Sequence, residues 1–403
     1  MDILNQLYKM TALQSIFGDP SSLLMLSIGA LLLYLGIKKQ YEPLLLIPIA
    51  FGVVLANLPG GGMGIVSAEM VHKPDGSYMN LLEIATEFGI MNYLYYALIK
   101  TGLLPPLIFM GVGALTDFGP MLRNLKLAYF GAAAQIGIFT VLIAAYLLGF
   151  TLDEAASLGI IGGADGPTAI YTTIKLAPHL LGPIAIAAYS YMALVPVIIP
   201  LVSKLMITEK EFKINMKEQD RLYPPKHKIK NLRVVKIIFP IAMIIVIAIL
   251  VPSATPLLGM LFFGNLIKEV GISVGRLTDA ATSTILNSAT IFLGLSVGAT
   301  MTSEVFLNPR TLGIIAGGFL AFAISIAGGI AAVKIYNLFS KKKINPLIGA
   351  TGLSAVPMSS RVANELALKY DSSNHILQYA MSSNISGVIG SAVAAGVLMA
   401  FLL

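Results

Sequence analysis

The chain has 403 residues, of which 56% are hydrophobic and only 12% charged, with a formal net charge of +7. Its mean hydropathy is +0.83. A soluble domain carries about 25% charged residues, so these figures exclude a soluble enzyme, a disordered chain and a nucleic-acid binder, and they require a polytopic membrane protein.

Apolar runs long enough to cross a bilayer lie at about 22–37, 43–58, 82–99, 127–150, 182–203, 235–252, 281–301, 311–338 and 376–402. Each is expected to be a helix, because in lipid only helices and closed barrels satisfy their own backbone. The first run starts near Ser22 and ends in Lys38–Lys39 with no small-residue cleavage site, so it reads as a retained membrane helix and not as a signal peptide. Shorter runs at 103–117, 155–174, 255–268 and 347–367 are interrupted by Gly, Pro and polar residues. These read as broken or re-entrant helices. The expectation is an all-α polytopic integral membrane protein with nine to eleven transmembrane helices.

Residues 204–236 hold ten Lys/Arg against four Asp/Glu, with Pro224–Pro225 among them. The positive-inside rule puts this loop in the cytoplasm, together with Lys38–Lys39 and Lys341–Lys343. Arg123 and Lys126 fit that orientation less well. The Gly-rich, weakly charged loop at 59–80 is expected outside.

The basic loop separates two related halves. Gly163-Ala164-Asp165-Gly166-Pro167-Thr168-Ala169-Ile170 and Gly349-Ala350-Thr351-Gly352-Leu353-Ser354-Ala355-Val356 share the pattern G-A-x-G-x-[TS]-A-[IV]. Val112-Gly113-Ala114 matches Val297-Gly298-Ala299. Pro48 precedes Asn57-Leu58 as Pro256 precedes Asn265-Leu266. Three matches in one order indicate a duplication. The first helix of one half ends at Lys38–Lys39, whereas the first helix of the other begins at Lys236. Equivalent helices therefore run in opposite directions, which is the inverted-topology repeat of secondary transporters. The expected division is an N-terminal segment 1–21, a first membrane repeat 22–206, a cytoplasmic linker 207–233 and a second, inverted repeat 234–403.

In such a fold the substrate and ion site lies at mid-membrane, where broken helices meet. Asp165 is a carboxylate in an otherwise uncharged stretch from Ala155 to Ile174. A charge there is costly unless it faces a cavity, a partner or an ion. Pro167 has no N–H, so a carbonyl one turn back is expected to be unpaired. Free carbonyls, the Asp165 carboxylate and the Thr168 hydroxyl make an all-oxygen set suited to a hard monovalent cation such as sodium, and a proton can compete for the carboxylate. The bland alternative is that Asp165 caps a helix or sits in a structural salt bridge.

In the second half, Asn345, Gly349, Ser354 and Arg361 form a comparable group. Asn345 and Ser354 offer neutral oxygens, and Arg361 offers a fixed positive charge, either for an anionic group, for Asp165, or as a snorkelling anchor. Tyr189-Ser190-Tyr191 and Ser382-Ser383-Asn384 follow the two motifs at matching places. Tyr191 can relay a proton; helix–helix hydrogen bonding is the plainer role for both triplets. Asn287, Ser288 and Thr290 read as packing. The four His residues, His72, His179, His227 and His375, are far apart and suggest no metal site, and there is no Cys. No G-x-x-x-x-G-K-[ST] loop is present, so ATP is not the direct energy source. No Ala-Met-Lys-Met stretch is present either, so no biotin is expected on this chain.

The stretches GGADGPTAIY, AYSYMALVP and NPLIGATGLSAVPMSSR resemble the β-subunit family of the biotin-dependent, sodium-pumping decarboxylases, which act on oxaloacetate, methylmalonyl-CoA or glutaconyl-CoA. The resemblance covers nearly the whole chain. It implies a multi-pass protein of the bacterial cytoplasmic membrane that decarboxylates carboxybiotin supplied in trans, exports sodium and consumes a proton. The implied partners are a carboxyltransferase α subunit, a biotin carrier subunit and a small single-helix membrane subunit, in an oligomeric complex. Carried onto this chain, the family's roles make Asp165 a sodium ligand and protonation switch, and Tyr191 a proton-path residue. Asn345, Gly349, Ser354 and Arg361 become the second-half ion and substrate region. Asp165, Tyr191, Ser354 and Arg361 are thus the candidate catalytic residues, and Arg361 and Asn345 the candidate carboxybiotin-binding ones. Asp165, Thr168, Asn345, Gly349, Ser354 and Asn384 are the candidate sodium ligands, Asn384 being added from its repeat relation to Tyr191. Without the resemblance, a sodium-coupled transporter or cation–proton exchanger fits the same residues. A non-transporting scaffold leaves Asp165 idle.

Overall fold

The computed structural model describes residues 20–40, 43–73, 76–224 and 231–403. The N-terminal segment expected at 1–21 lies almost wholly outside the described residues, as do residues 225–230 of the basic linker, His227 among them. The described residues form helices and connecting turns, with one isolated bridge between His72 and Tyr78 and no strand.

Among the described residues, six helices are long and apolar enough to cross a membrane: Pro20–Lys38, Leu125–Leu147, Leu232–Leu250, Ile272–Ala299, Pro309–Phe339 and Leu377–Leu402. Two broken pairs, Leu81–Ile99 with Leu104–Leu115 and Pro178–Met192 with Leu194–Met206, bring the count to eight if each pair is one span. The second pair bends by 67°. Pro196 lies one turn beyond the bend, where it removes a backbone donor and its ring crowds the carbonyl of Met192. The nine runs expected from the sequence count one more span, 43–58. Pro43–Ala56 is strongly apolar but has only 14 residues, which is about 21 Å of helix against a hydrocarbon core of about 30 Å.

The chain divides into two compact units, and each draws on both halves of the sequence: 1–104 with 287–315, and 105–286 with 316–403. In the first unit, Pro43–Ala56 lies against Pro20–Lys38 and against the helix that ends at Ala299. Glycines set both distances. A methyl on Gly29 would lie 2.8 Å from Val54 Cγ2, and one on Gly298 would lie 2.1 Å from Ile49 O. Small residues are what let membrane helices approach this closely. Asn57 closes the contact by donating from Nδ2 to Met301 O at 2.7 Å. A short cap over residues 64–100 is organised by buried Asn92. Its Oδ1 accepts from Val66 N at 2.9 Å, and its Nδ2 donates to Gly64 O at 3.0 Å. Val71, Ile84 and Tyr96 pack beside it.

The second unit repeats this device. Thr255–Val270 packs on Leu104–Leu115, and a methyl on Gly113 would lie 1.9 Å from Leu261 O. Asn265 donates from Nδ2 to Thr116 O at 2.8 Å. Asn57 and Asn265, matched in sequence, thus make matched bonds to backbone carbonyls two residues beyond the matched Val-Gly-Ala triplets. The spine of this unit is Leu377–Leu402, whose fifteen buried residues include Ser382, Ser383, Asn384 and Ser391. Around it pack Leu125–Ala134, Leu152–Ile160, Gly166–Leu176 and Met358–Tyr370. Both G-A-x-G segments lie in this unit.

Candidate functional site

The helix Leu152–Ile160 starts on a capping box in which Thr151 and Glu154 satisfy each other's backbone N–H. It tightens into a short turn at Ile161–Gly163 and stops at Ala164, which adopts the left-handed conformation with φ 53° and ψ 41°. Asp165 is extended, and a new helix begins at Gly166. The break is therefore made by Ala164 and not by Pro167. Pro167 sits in the first turn of the new helix, where its missing N–H has no carbonyl to serve. The carbonyls expected to be free at the break are occupied: Gly162 O accepts from Ser325 Oγ at 2.6 Å, and Gly163 O accepts from Ser354 N at 3.0 Å.

Asp165 is 5% exposed. Its Oδ1 accepts from Thr168 N at 3.1 Å and caps the new helix. Its Oδ2 accepts from Ser354 Oγ at 2.9 Å and from Ser391 Oγ at 2.8 Å. The two serine oxygens are 3.4 Å apart. The carboxylate has no basic partner among the described residues. Capping accounts for one oxygen only; the other sits in a cluster of hydroxyls. Thr168 Oγ1 is buried beside this cluster with no well-formed hydrogen bond, and so is Tyr189 Oη, whose ring rests on Gly166. Ser354 is the partly exposed member of the cluster.

The fold thus brings Asp165, Thr168 and Ser354 together, and the two G-A-x-G segments meet directly through the Ser354 N to Gly163 O bond. The other candidates sit elsewhere. Asn345 is fully buried, but its Nδ2 donates to Phe212 O and Ile214 O, both at 3.0 Å, and its Oδ1 accepts from Leu347 N. Every polar atom of that amide holds the linker or its own turn. Gly349 is a packing glycine, since a methyl there would lie 2.1 Å from Gly329 O. Asn384 donates to Leu353 O and accepts from Ser360 Oγ at 3.2 Å, so it braces the segment that carries Ser354 without joining the carboxylate. Tyr191 packs on Phe319, Phe322 and Gly318 and is not among the groups bonded to Asp165. Arg361 is exposed and does not pair with Asp165. Ser391, which completes the cluster, went unmarked in the sequence. Its one signal there is a position seven residues after Asn384, on the same face of one helix.

A many-helix membrane protein with a lone carboxylate in a nest of hydroxyls, at a helix break, defines an ion-handling membrane protein. The profile of the family described as the sodium-transporting oxaloacetate decarboxylase beta subunit matches residues 21–402, and the chain belongs to this family. Among its relatives, the methylmalonyl-CoA decarboxylase subunit beta of Propionigenium modestum is 49% identical over 382 residues, covering 94% of each chain. The oxaloacetate decarboxylase beta chain of Klebsiella pneumoniae is 44% identical over 420 residues, covering 94% of this chain and 95% of its own. The methylmalonyl-CoA decarboxylase subunit beta of Veillonella parvula is 46% identical over 398 residues, covering 97% and 98%. The protein is accordingly a multi-pass protein of the bacterial cell membrane and the membrane part of a multi-subunit decarboxylase complex.

Proposed function

We propose that this chain decarboxylates carboxybiotin presented by a partner biotin carrier and couples that step to sodium export. The carrying observation is Asp165 Oδ2, a buried carboxylate oxygen held by the Ser354 and Ser391 hydroxyls with no basic partner among the described residues. An ion or a proton must offset such a group. Sodium and a proton then exclude one another at one carboxylate, and that exclusion is the coupling. With sodium bound, the Ser354 and Ser391 hydroxyls turn their lone pairs to the ion. With a proton bound, the carboxyl itself donates.

Decarboxylation breaks the bond between the carboxyl carbon and the ureido nitrogen of biotin. The electron pair passes to the nitrogen, which takes up a proton, and CO2 leaves. In this reading sodium leaves Asp165 on the outer side, a proton from outside replaces it, and that proton is consumed at the nitrogen. Tyr191 stays a candidate for its path. Exposed Arg361, next to buried Ser359 and Ser360, is the candidate for holding the carboxybiotin carboxylate. The carboxyl group reaches biotin through a carboxyltransferase α subunit, and a small single-helix membrane subunit completes the oligomeric complex. Matched bonds at Asn57 and Asn265 support the reading of residues 22–206 and 234–403 as two inverted repeats.

The test is release of CO2 from free carboxybiotin by the purified complex, with and without sodium. Sodium-dependent release that disappears in Asp165→Asn supports the proposal. Equal release without sodium, or sodium-dependent release that survives in the variant, refutes it.

A further inference from the structure

Gln135 lies in the membrane helix 125–147, at the point where Leu125–Ala134 gives way to Ile136–Leu147. It is 6% exposed. Its Nδ-equivalent end, Nε2, faces three carbonyls: Gly131 O at 3.0 Å, Gly352 O at 3.2 Å and Gly387 O at 3.4 Å. Three acceptors around one end fix the orientation of the amide, because an oxygen there would face only oxygens. Oε1 is therefore directed away from those carbonyls. It is buried and has no donor among the described residues. An amide oxygen left so in an apolar interior is unfavourable and calls for an explanation.

Its surroundings supply one. A methyl on Gly163 would lie 3.5 Å from Gln135 Oε1 and 3.0 Å from Ser391 Cβ. Gln135 and Ser391 thus both lie against Gly163, and Ser391 Oγ is one of the two hydroxyls bonded to Asp165 Oδ2. The neighbouring Gly390 lies along the Gln135 side chain, where a methyl would be 3.0 Å from Cγ. Gly163 and Gly390 thus let the Gln135 side chain pack closely beside the segment that carries Asp165 and the helix that carries Ser391. Thr168 Oγ1 is a second buried oxygen of the same cluster, set against the Asp165 carboxylate without a well-formed hydrogen bond.

We propose that Gln135 Oε1 is a ligand of the cation held at Asp165, together with the hydroxyl oxygens of Thr168, Ser354 and Ser391. This inference rests on the sodium-site reading of Asp165. The set has one negative charge and otherwise neutral oxygens, which matches a hard monovalent cation. The same amide reaches the Gly352 carbonyl in the second G-A-x-G segment and the Gly387 carbonyl on the spine helix, so an ion drawn onto Oε1 is registered by both.

The test is the sodium-specific rise in thermal unfolding midpoint of the whole complex, titrated with sodium chloride against potassium chloride at equal ionic strength. Wild type, Asp165→Asn, Gln135→Met and Gln135→Glu are compared. Gln135→Met removes the oxygen and the donor together; Gln135→Glu retains an oxygen and, when ionised, removes the donor. The expected result is a sodium half-saturation raised about tenfold in Gln135→Met, a change of about 1.4 kcal/mol, and returned to within about threefold of wild type in Gln135→Glu. Equal half-saturation in wild type and Gln135→Met overturns the proposal. Equal weakening in both variants, or loss of helical signal in both, assigns Gln135 to clamping the helices and overturns it too. Absence of any sodium-specific shift in wild type removes the Asp165 sodium site itself. A wild-type shift that persists in Asp165→Asn but falls in Gln135→Met separates the failure of that site from the failure of this ligand.

Discussion

At the scale of single residues, the two oxygens of Asp165 have different tasks. Oδ1 caps a helix, which is worth about 1 kcal/mol to stability, and Oδ2 is turned into a hydroxyl cluster. Substitutions should separate the two. Ser391→Ala removes one contact to Oδ2 and leaves the cap, so sodium half-saturation should rise about tenfold, equal to about 1.4 kcal/mol, with the unfolding temperature in potassium unchanged. Sodium-dependent decarboxylation kinetics beside thermal unfolding check this; an unchanged half-saturation contradicts it. Asp165, Thr168 and Ser354 are legible in the sequence because they lie inside two matched motifs, and a motif carries its own spacing. Ser391 and Gln135 are not, because each is a single polar residue on a long apolar helix, where bonding to a neighbouring helix is the default reading. Asn345 and Asn384 carry oxygens suited to an ion, but those oxygens already accept from Leu347 N and Ser360 Oγ, and their amide nitrogens donate to carbonyls elsewhere in the chain. Nothing local in a sequence records that.

At the scale of elements, the linker between the halves is a strap and not a loose tether. Thr208–Tyr223 is pinned to the second half at several points. Asn345 and Asn374 donate to the same two carbonyls, Phe212 O and Ile214 O. Lys334 pairs with Glu211 at 3.2 Å, and Asp220 receives both Lys342 and the Tyr379 hydroxyl. Burial alone would raise the Glu211 carboxyl, but hydrogen bonds from the Thr208 backbone and hydroxyl and from Lys334 outweigh it and hold it below the ordinary carboxylate value. The stabilisation from a lowered folded-state pKa is complete above the unfolded value and fades as pH falls through the folded one. Amide exchange over 208–222, corrected for its intrinsic rate, should therefore be slow near neutral pH and speed up as pH drops below the unfolded carboxylate value of 4.5. Glu211→Gln should exchange faster at neutral pH and lose part of that pH response. Identical profiles would show that Glu211 does not hold the strap. The basic character of this segment is plain in its composition; its attachment is not, since its partners lie more than a hundred residues away.

At the scale of the whole molecule, the all-helical membrane fold follows from composition, because a chain this apolar has few other ways to satisfy its backbone. The two sequence halves do not coincide with the two compact units, for each unit takes helices from both halves of the chain. Internal duplication predicts matched parts, and Asn57 with Met301 and Asn265 with Thr116 are such parts. It does not predict which copy packs with which. Membership of the sodium-transporting decarboxylase family then joins a buried carboxylate to a chemical driving force. The central claim is that sodium and a proton compete for Asp165. The most direct test is equilibrium binding of radioactive sodium to the purified complex in weakly buffered solution, with proton release recorded in the same sample. The account predicts saturable sodium binding, protons released as sodium binds, and loss of both in a folded Asp165→Asn variant. Sodium binding of unchanged affinity in that variant, still accompanied by proton release, would contradict it.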